Sequence, residues 1–326
     1  MSPSPREASA PPAGARRPFA RAAQILLTIA VTWLILERLG PGLAELAGAG
    51  EDVSVRWGWL ASSCVVLALG YAVSGWVWGK MVRDLGGPDL PVRDAVRIYL
   101  VANLGRYVPG KLWQIAGLAL LARAHGVPVP VATGAAVIGQ AVALAGAALI
   151  GMLAITGGEG PPAGLTAWVL VGAAAVVALV TIPALFRPLV RLWLRLVPGD
   201  APREVTVGAT DGVRWLALYT LNWGGYALAF WLLVRGLSLP GGPLVVGPAF
   251  AAAYVLGYVA LFAPAGLGVR EGFLVAFLAP TLGPGGAVLT AVAARVWTTL
   301  VEVIPAGAFW LAGFGRRPDA EPTELV

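Results

Sequence analysis

The sequence predicts an all-α, polytopic membrane protein with about eight transmembrane crossings, a re-entrant helical hairpin and a weak internal two-fold repeat. Three observations carry that expectation. Only 12% of the 326 residues are charged and 58% are hydrophobic, whereas a soluble domain carries about a quarter charged residues to solvate its surface. The apolar residues come in runs of about 18 to 28, long enough to cross hydrocarbon. The basic residues lie between those runs and are concentrated in alternate loops, as membrane topology demands. That placement accounts for the net charge of +6 and argues against nucleic acid as a partner. Cys64 is the single cysteine, which excludes intrachain disulfides and cysteine-based metal sites.

Residues 1–21, rich in Pro, Ala, Ser and Arg, read as a disordered cytoplasmic tail ahead of a membrane domain over residues 22–314. The first span runs about 18 residues to Leu39. It is retained rather than cleaved, because the Ala47-Gly48-Ala49 site lies too far beyond it. Further spans are expected at Trp57–Trp78, Ala132–Thr156, Leu165–Phe186, Trp215–Val234, Leu244–Phe262 and Ala287–Phe314, with tryptophans at several ends. Arg6, Arg16, Arg17 and Arg21 precede the first span; Lys80, Arg83, Arg93 and Arg97 follow the second. Five more arginines lie between Arg187 and Arg214, and Arg316 and Arg317 sit in a second tail over residues 315–326. Residues 40–56 and 157–164 are poor in basic residues. Both termini are therefore expected in the cytoplasm, the membrane being the cell inner (plasma) membrane. An even number of crossings makes Pro264–Leu282 the eighth.

Two segments do not behave as ordinary spans. Over residues 91–125, Val92, Ala95, Val96, Tyr99 and Leu100 share one helical face, with Arg93, Asp94 and Arg97 on the other. The run Asn103-Leu104-Gly105-Arg106-Tyr107-Val108-Pro109-Gly110-Lys111 then breaks the helix. A second helix follows from Leu112 to about His125, stopped by Gly126 and Pro128. Each helix is too short to span, so a hairpin that dips into the membrane and returns fits best. The second break lies over residues 262–283, in Phe262-Ala263-Pro264-Ala265-Gly266-Leu267-Gly268-Val269-Arg270-Glu271-Gly272, with a short helix ending at Pro280–Gly283. Interrupted segments in corresponding positions point to a transporter binding site and to a duplication of roughly residues 20–156 in 215–314. Irregular backbone at membrane depth persists where it is buried in protein or lines a wet cavity.

The phrases NLGRYVPGKLWQ, RAHGVP and APAGLGVREG resemble the signature of the lysylphosphatidylglycerol synthase transmembrane-region family of flippase-like proteins, over almost the whole chain. The G-R-Y-x-P-G-K hairpin and a P-x-G-x-G-x-R-E break some 155 residues later carry the resemblance. It implies the lipid-flipping half of enzymes that make and translocate aminoacylated phosphatidylglycerol. It equally implies stand-alone relatives, or companions of glycosyltransferases acting on polyprenyl-phosphate lipids. The chain has no room for a soluble aminoacyl-transfer domain, so only translocation is expected to carry over.

Arg106, Lys111 and Arg270 are the candidate lipid-phosphate ligands. Arg106 and Lys111 flank a Pro-Gly turn that opens a helix, where free N–H groups and the dipole favour an anion. Arg offers a fork and Lys a point charge. The alternative for Arg106 and Lys111 is snorkelling at the headgroup level. Asn103, Tyr107, Trp113 and Gln114 are candidates to bind a headgroup, or simply to satisfy the hairpin backbone. Glu271, Arg295 and Glu302 form either an ion-pair network, Arg295 with Glu271 and Glu302 nearby, or a gate. His125 reads as a helix cap and Cys64 as packing. No nucleophile–histidine pair, paired loop carboxylates, metal-ligand spacing or phosphate-binding loop for ATP appears, so no enzyme activity, cofactor or metal is expected. The expected function is a lipid flippase moving an anionic or aminoacylated phospholipid, or a polyprenyl-phosphate-linked saccharide, between leaflets. The alternative is a membrane subunit that supports a separate glycosyltransferase or lipid synthase.

Overall fold

The computed structural model describes residues 55–107, 112–156, 167, 171–172, 174–179, 182–199, 207–259 and 268–311. The expected tails, the first span, Lys111 with the Pro109-Gly110 turn, and the Pro264-Ala265-Gly266 stretch lie outside the described residues. Every regular element among the described residues is helical. In chain order these are α1 (Trp57–Asp84), α2 (Val92–Asn103), a 3-10 turn (Leu104–Tyr107), α3 (Leu112–Arg123) and α4 (Val129–Thr156). After them come α5 (Pro183–Leu196), α6 (Ala209–Gly236), α7 (Pro243–Val259) and α8 (Val269–Leu311). Among the described residues, four helices are long and apolar enough to cross a membrane: Trp57–Asp84, Val129–Ala154, Ala209–Gly236 and Val269–Phe309.

α1 and α6, each 28 residues and so about 42 Å long, make the most extensive helix pair. They are held by polar contacts that an apolar surround leaves no water to replace. Ser63 Oγ donates to the Ala229 carbonyl at 2.7 Å. Asn222 Nδ2 donates to the Gly70 carbonyl at 3.1 Å and to Ser74 Oγ at 2.9 Å. Such interhelical hydrogen bonds contribute about 0.6 kcal/mol each in membrane proteins. At the basic end of the pair, Asp84 accepts from Trp215 Nε1 at 3.1 Å and pairs with Arg214. α4 packs against α6 and α7 through small residues. A Cβ on Gly151 would lie 2.9 Å from the Ala252 backbone, so the glycine sets how closely α4 and α7 approach.

The hairpin forms as two 12-residue helices, α2 and α3, in contact with one another. The 3-10 turn after α2 packs closely on the start of α3: a Cβ on Gly105 would lie 2.8 Å from the backbone nitrogen of Gln114. α3 ends one turn before Gly126, which adopts φ 75°, and His125 Nδ1 lies 3.3 Å from the Leu121 carbonyl, the expected capping position.

One expectation changes. The span expected over Leu165–Phe186 is not one helix to its end. Ile182 is extended (φ −99°, ψ 105°) and a new helix begins at Pro183, because a residue before proline is pushed out of the helical region. α5 then carries Arg187, Arg191 and Arg195 among Leu185, Leu189, Leu192 and Leu196 and is amphipathic. The span expected at Leu244–Phe262 is helical over its described residues, Pro243–Val259, and its expected end lies outside them. The helix after the second break and the last span, together labelled α8, are two segments, residues 269–282 and 284–311, joined at Gly283 (φ 72°, ψ 164°), a conformation open mainly to glycine. The boundary expected at Pro280–Gly283 is therefore present as a kink.

Candidate functional site

The site forms where the two breaks face the last segment of α8. The 3-10 turn after Asn103 turns Arg106 away from the α2 axis and towards α8. There Arg106 Nη1 donates to Glu302 Oε1 at 2.7 Å, and the Tyr107 hydroxyl donates to Glu302 Oε2 at 2.6 Å. The second guanidinium nitrogen, Nη2, donates to Asn103 Oδ1, which also accepts from Gln114 Nε2 at 2.8 Å. One turn of the hairpin and one carboxylate thus fix the arginine from both sides. The side chain of Glu302 is only 3% exposed. A carboxylate so buried in apolar surroundings is stable only with its partners in place.

From the second break, Glu271 Oε2 accepts from the Gly268 backbone N–H at 2.9 Å, closing the first turn of α8. Its other oxygen lies 3.8 Å from Arg295 Nη1. The expected Arg295–Glu271 pair is therefore present. Glu302, expected beside that pair, instead serves Arg106, because the helix carries it two turns further on. Arg270 stands differently from the other two arginines. Its guanidinium lies 4.8 Å above the centre of the Phe250 ring, within cation–π range, and it forms no ion pair with a described carboxylate. A Cβ on Gly257 would sit 2.7 Å from the Arg270 Cβ, so α7 leans directly on the base of this side chain.

Arg106, Arg270 and Arg295 line one cleft that encloses about 790 Å³, open solvent included. Tyr107, Gln114, Thr298 and Glu302 line it as well. Of the expected site residues, Asn103 is buried and contacts Arg106, and the half-buried Glu271 pairs with Arg295, each reaching the cleft through its arginine. Trp113 does not line it and is 57% exposed. Lys111 lies outside the described residues. The guanidinium of Arg106 is engaged within the protein by Glu302 and Asn103.

The sequence reading missed Gln140, Tyr254 and Tyr258, which also line the cleft. Gln140 carried a signal: it is a lone amide midway along the apolar run of α4. Tyr254 and Tyr258 are four apart, hence on one face of α7, and stack with ring centres 6.2 Å apart.

Cations from two breaks, meeting over a cleft among membrane-spanning helices, provide a place where a phosphate can exchange water for protein donors. Comparison with curated proteins finds no match. The family model for the lysylphosphatidylglycerol synthase TM region matches residues 21–306, and the chain therefore belongs to that family of membrane proteins involved in lipid handling.

Proposed function

We propose that the protein is a lipid flippase that moves an anionic phospholipid or a polyprenyl-phosphate-linked lipid between leaflets, its phosphate held by Arg270 and Arg106. The observation that carries this reading is that the two arginines, contributed by separate helix breaks, line the same cleft. A phosphate crossing hydrocarbon must replace its hydration with protein charges and dipoles. Arg270 forms no ion pair with a described carboxylate, so it is the first ligand. Arg106 joins when the phosphate competes with Glu302. Movement is downhill or ion-coupled, and the chain performs no covalent chemistry.

The proposed architecture has eight crossings, both termini in the cytoplasm of a cell bounded by its inner membrane, and α2–α3 re-entering from the cytoplasmic side. Two related halves support it. Each opens with a 28-residue helix, α1 or α6. Each continues through a shorter helix, a break carrying Arg106 or followed by Arg270, and a short helix. That short helix ends at a glycine of positive φ, Gly126 at 75° or Gly283 at 72°. A long closing helix completes each half.

The test is reconstitution of the purified chain in vesicles with a fluorescent phosphatidylglycerol. Arg270→Gln is expected to stop lipid movement while insertion and folding persist, and Arg106→Gln to stop it with some loss of stability. Movement at the normal rate in both variants would sink the reading.

A further inference from the structure

Beyond the phosphate itself, the cleft differs in charge and in hydrogen-bonding character from one suited to a cationic headgroup. Three guanidiniums, Arg106, Arg270 and Arg295, line it, and the two carboxylates that serve them are Glu302 and Glu271. Three positive charges against two negative leave a formal +1 at the site. Neither carboxylate is spare. Glu302 accepts from both Arg106 and Tyr107, and Glu271 is shared between Arg295 and the Gly268 N–H.

The aromatic rings do not provide an ammonium cage either. The face of Phe250 is taken by Arg270. Tyr254 stacks on Tyr258, and Trp223 packs against both Tyr226 and Tyr254. What the aromatics bring to the cleft is their hydroxyl groups. All seven tyrosines of the chain line this cleft or the two cavities that share residues with it. The hydroxyls of Tyr219 and Tyr254 make no hydrogen bond to another described residue. Gln140, whose amide is likewise without a described partner, lines all three spaces. Hydroxyl and amide groups both donate and accept, which matches the hydroxyls of a polyol or sugar, whereas an ammonium, a pure donor, would leave their donors unused.

We propose that the ligand is a monoanionic phosphodiester lipid with an uncharged, hydroxyl-rich headgroup, and that the site selects against a cationic aminoacyl headgroup. This rests on the phosphate site proposed above. A single negative charge matches the +1 of the cleft. An added ammonium would be desolvated beside three guanidiniums with no free counter-charge. Specificity of this kind comes from leaving the wrong ligand's charge unpaired.

The experiment titrates the purified full-length protein in detergent and follows tryptophan fluorescence. Four lipids are compared: phosphatidylglycerol, phosphatidylpropanol (the same charge without the hydroxyls), lysylphosphatidylglycerol, and a polyprenyl-phosphate-linked hexose. Phosphatidylglycerol or the prenyl hexose is expected to bind at least about tenfold tighter than the propanol and lysyl lipids, roughly the effect of one or two well-placed hydrogen bonds. The tighter of the two identifies the lipid source. Gln140→Ala and Tyr254→Phe are expected to narrow the gap between phosphatidylglycerol and phosphatidylpropanol. Equal or tighter binding of the lysyl lipid, or equal binding of the propanol lipid, overturns the headgroup assignment and leaves the phosphate site standing. If none of the anionic lipids binds, the phosphate site fails and this assignment falls with it.

Discussion

Arg106 and Glu302 meet at 2.7 Å across the protein, joining the turn of the hairpin to the closing segment of α8. The pair ties the first break to the helix that also carries Arg295, so one contact spans both halves of the site. Under the proposed function, a phosphate arriving at Arg106 would have to compete with this carboxylate, which compensates the arginine and would limit how tightly the phosphate is held.

Removing one partner of this pair should destabilise the protein more than removing both. Glu302→Gln leaves a part-buried guanidinium uncompensated, an effect of about 3 kcal/mol for such pairs. Arg106→Gln does the same to the nearly inaccessible carboxylate. The double variant should recover a large part of that loss, and thermal unfolding of the detergent-solubilised single and double variants measures the coupling. Additive losses would show that the two side chains act independently.

At Arg270 the fork and the charge can be separated. Arg270→Lys should retain part of the lipid movement that Arg270→Gln abolishes, because the charge persists while the planar, stacked geometry over Phe250 is lost. Rates from the vesicle assay, compared at equal protein incorporation, decide it. A lysine variant as dead as the glutamine variant would mean that geometry, not charge, is limiting.

Gly257 offers a way to disturb Arg270 without touching its charge. A methyl group there would come within 2.7 Å of the Arg270 Cβ, so Gly257→Ala should slow lipid movement severalfold by displacing the side chain. Gly151→Ala, which meets backbone at 2.9 Å, should instead lower thermal stability by about 1–3 kcal/mol, the usual range for overpacking. The two glycines should thus separate in assay: one in rate, the other in melting temperature.

Topology is tested by single cysteines in a Cys64→Ala background, because Cys64 is itself exposed on the protein surface. Labels in residues 200–210 and near residue 320 should react from the cytoplasmic side only. Labels at residues 45–52 and at Gly158 should react from outside only. Opposite labelling of the two termini would defeat the eight-crossing arrangement.

The long helices and both arginines were legible because their causes are local. Apolar length alone marks α1, α4 and α6, and Gly-Pro punctuation marks the hairpin and the second break. The Arg295–Glu271 contact was also within reach, since burial leaves few partners for an intramembrane charge. The partner of Arg106 was not. Glu302 lies 196 positions along the chain from it, and only the packing of the hairpin against α8 selects it over Glu271. The failure at Phe186 has a different origin. Hydropathy averages over the Ile182–Pro183 junction, whereas a single backbone torsion there ends one helix and starts another. Gln140 and the tyrosines read as isolated polar positions until α4 and α7 bring them to the same space.

Gly283 gives α8 the mechanics of a lever. Glu302 stands 19 residues beyond it, about 28 Å along a straight helix. A swing of only about 5° at that glycine carries the carboxylate roughly 2.5 Å sideways on the same helical geometry, as far as its hydrogen bond to Arg106 is long. The main chain at residue 283 thus has mechanical advantage over the occupancy of Arg106, and a stiffer residue there would act on the site without touching it.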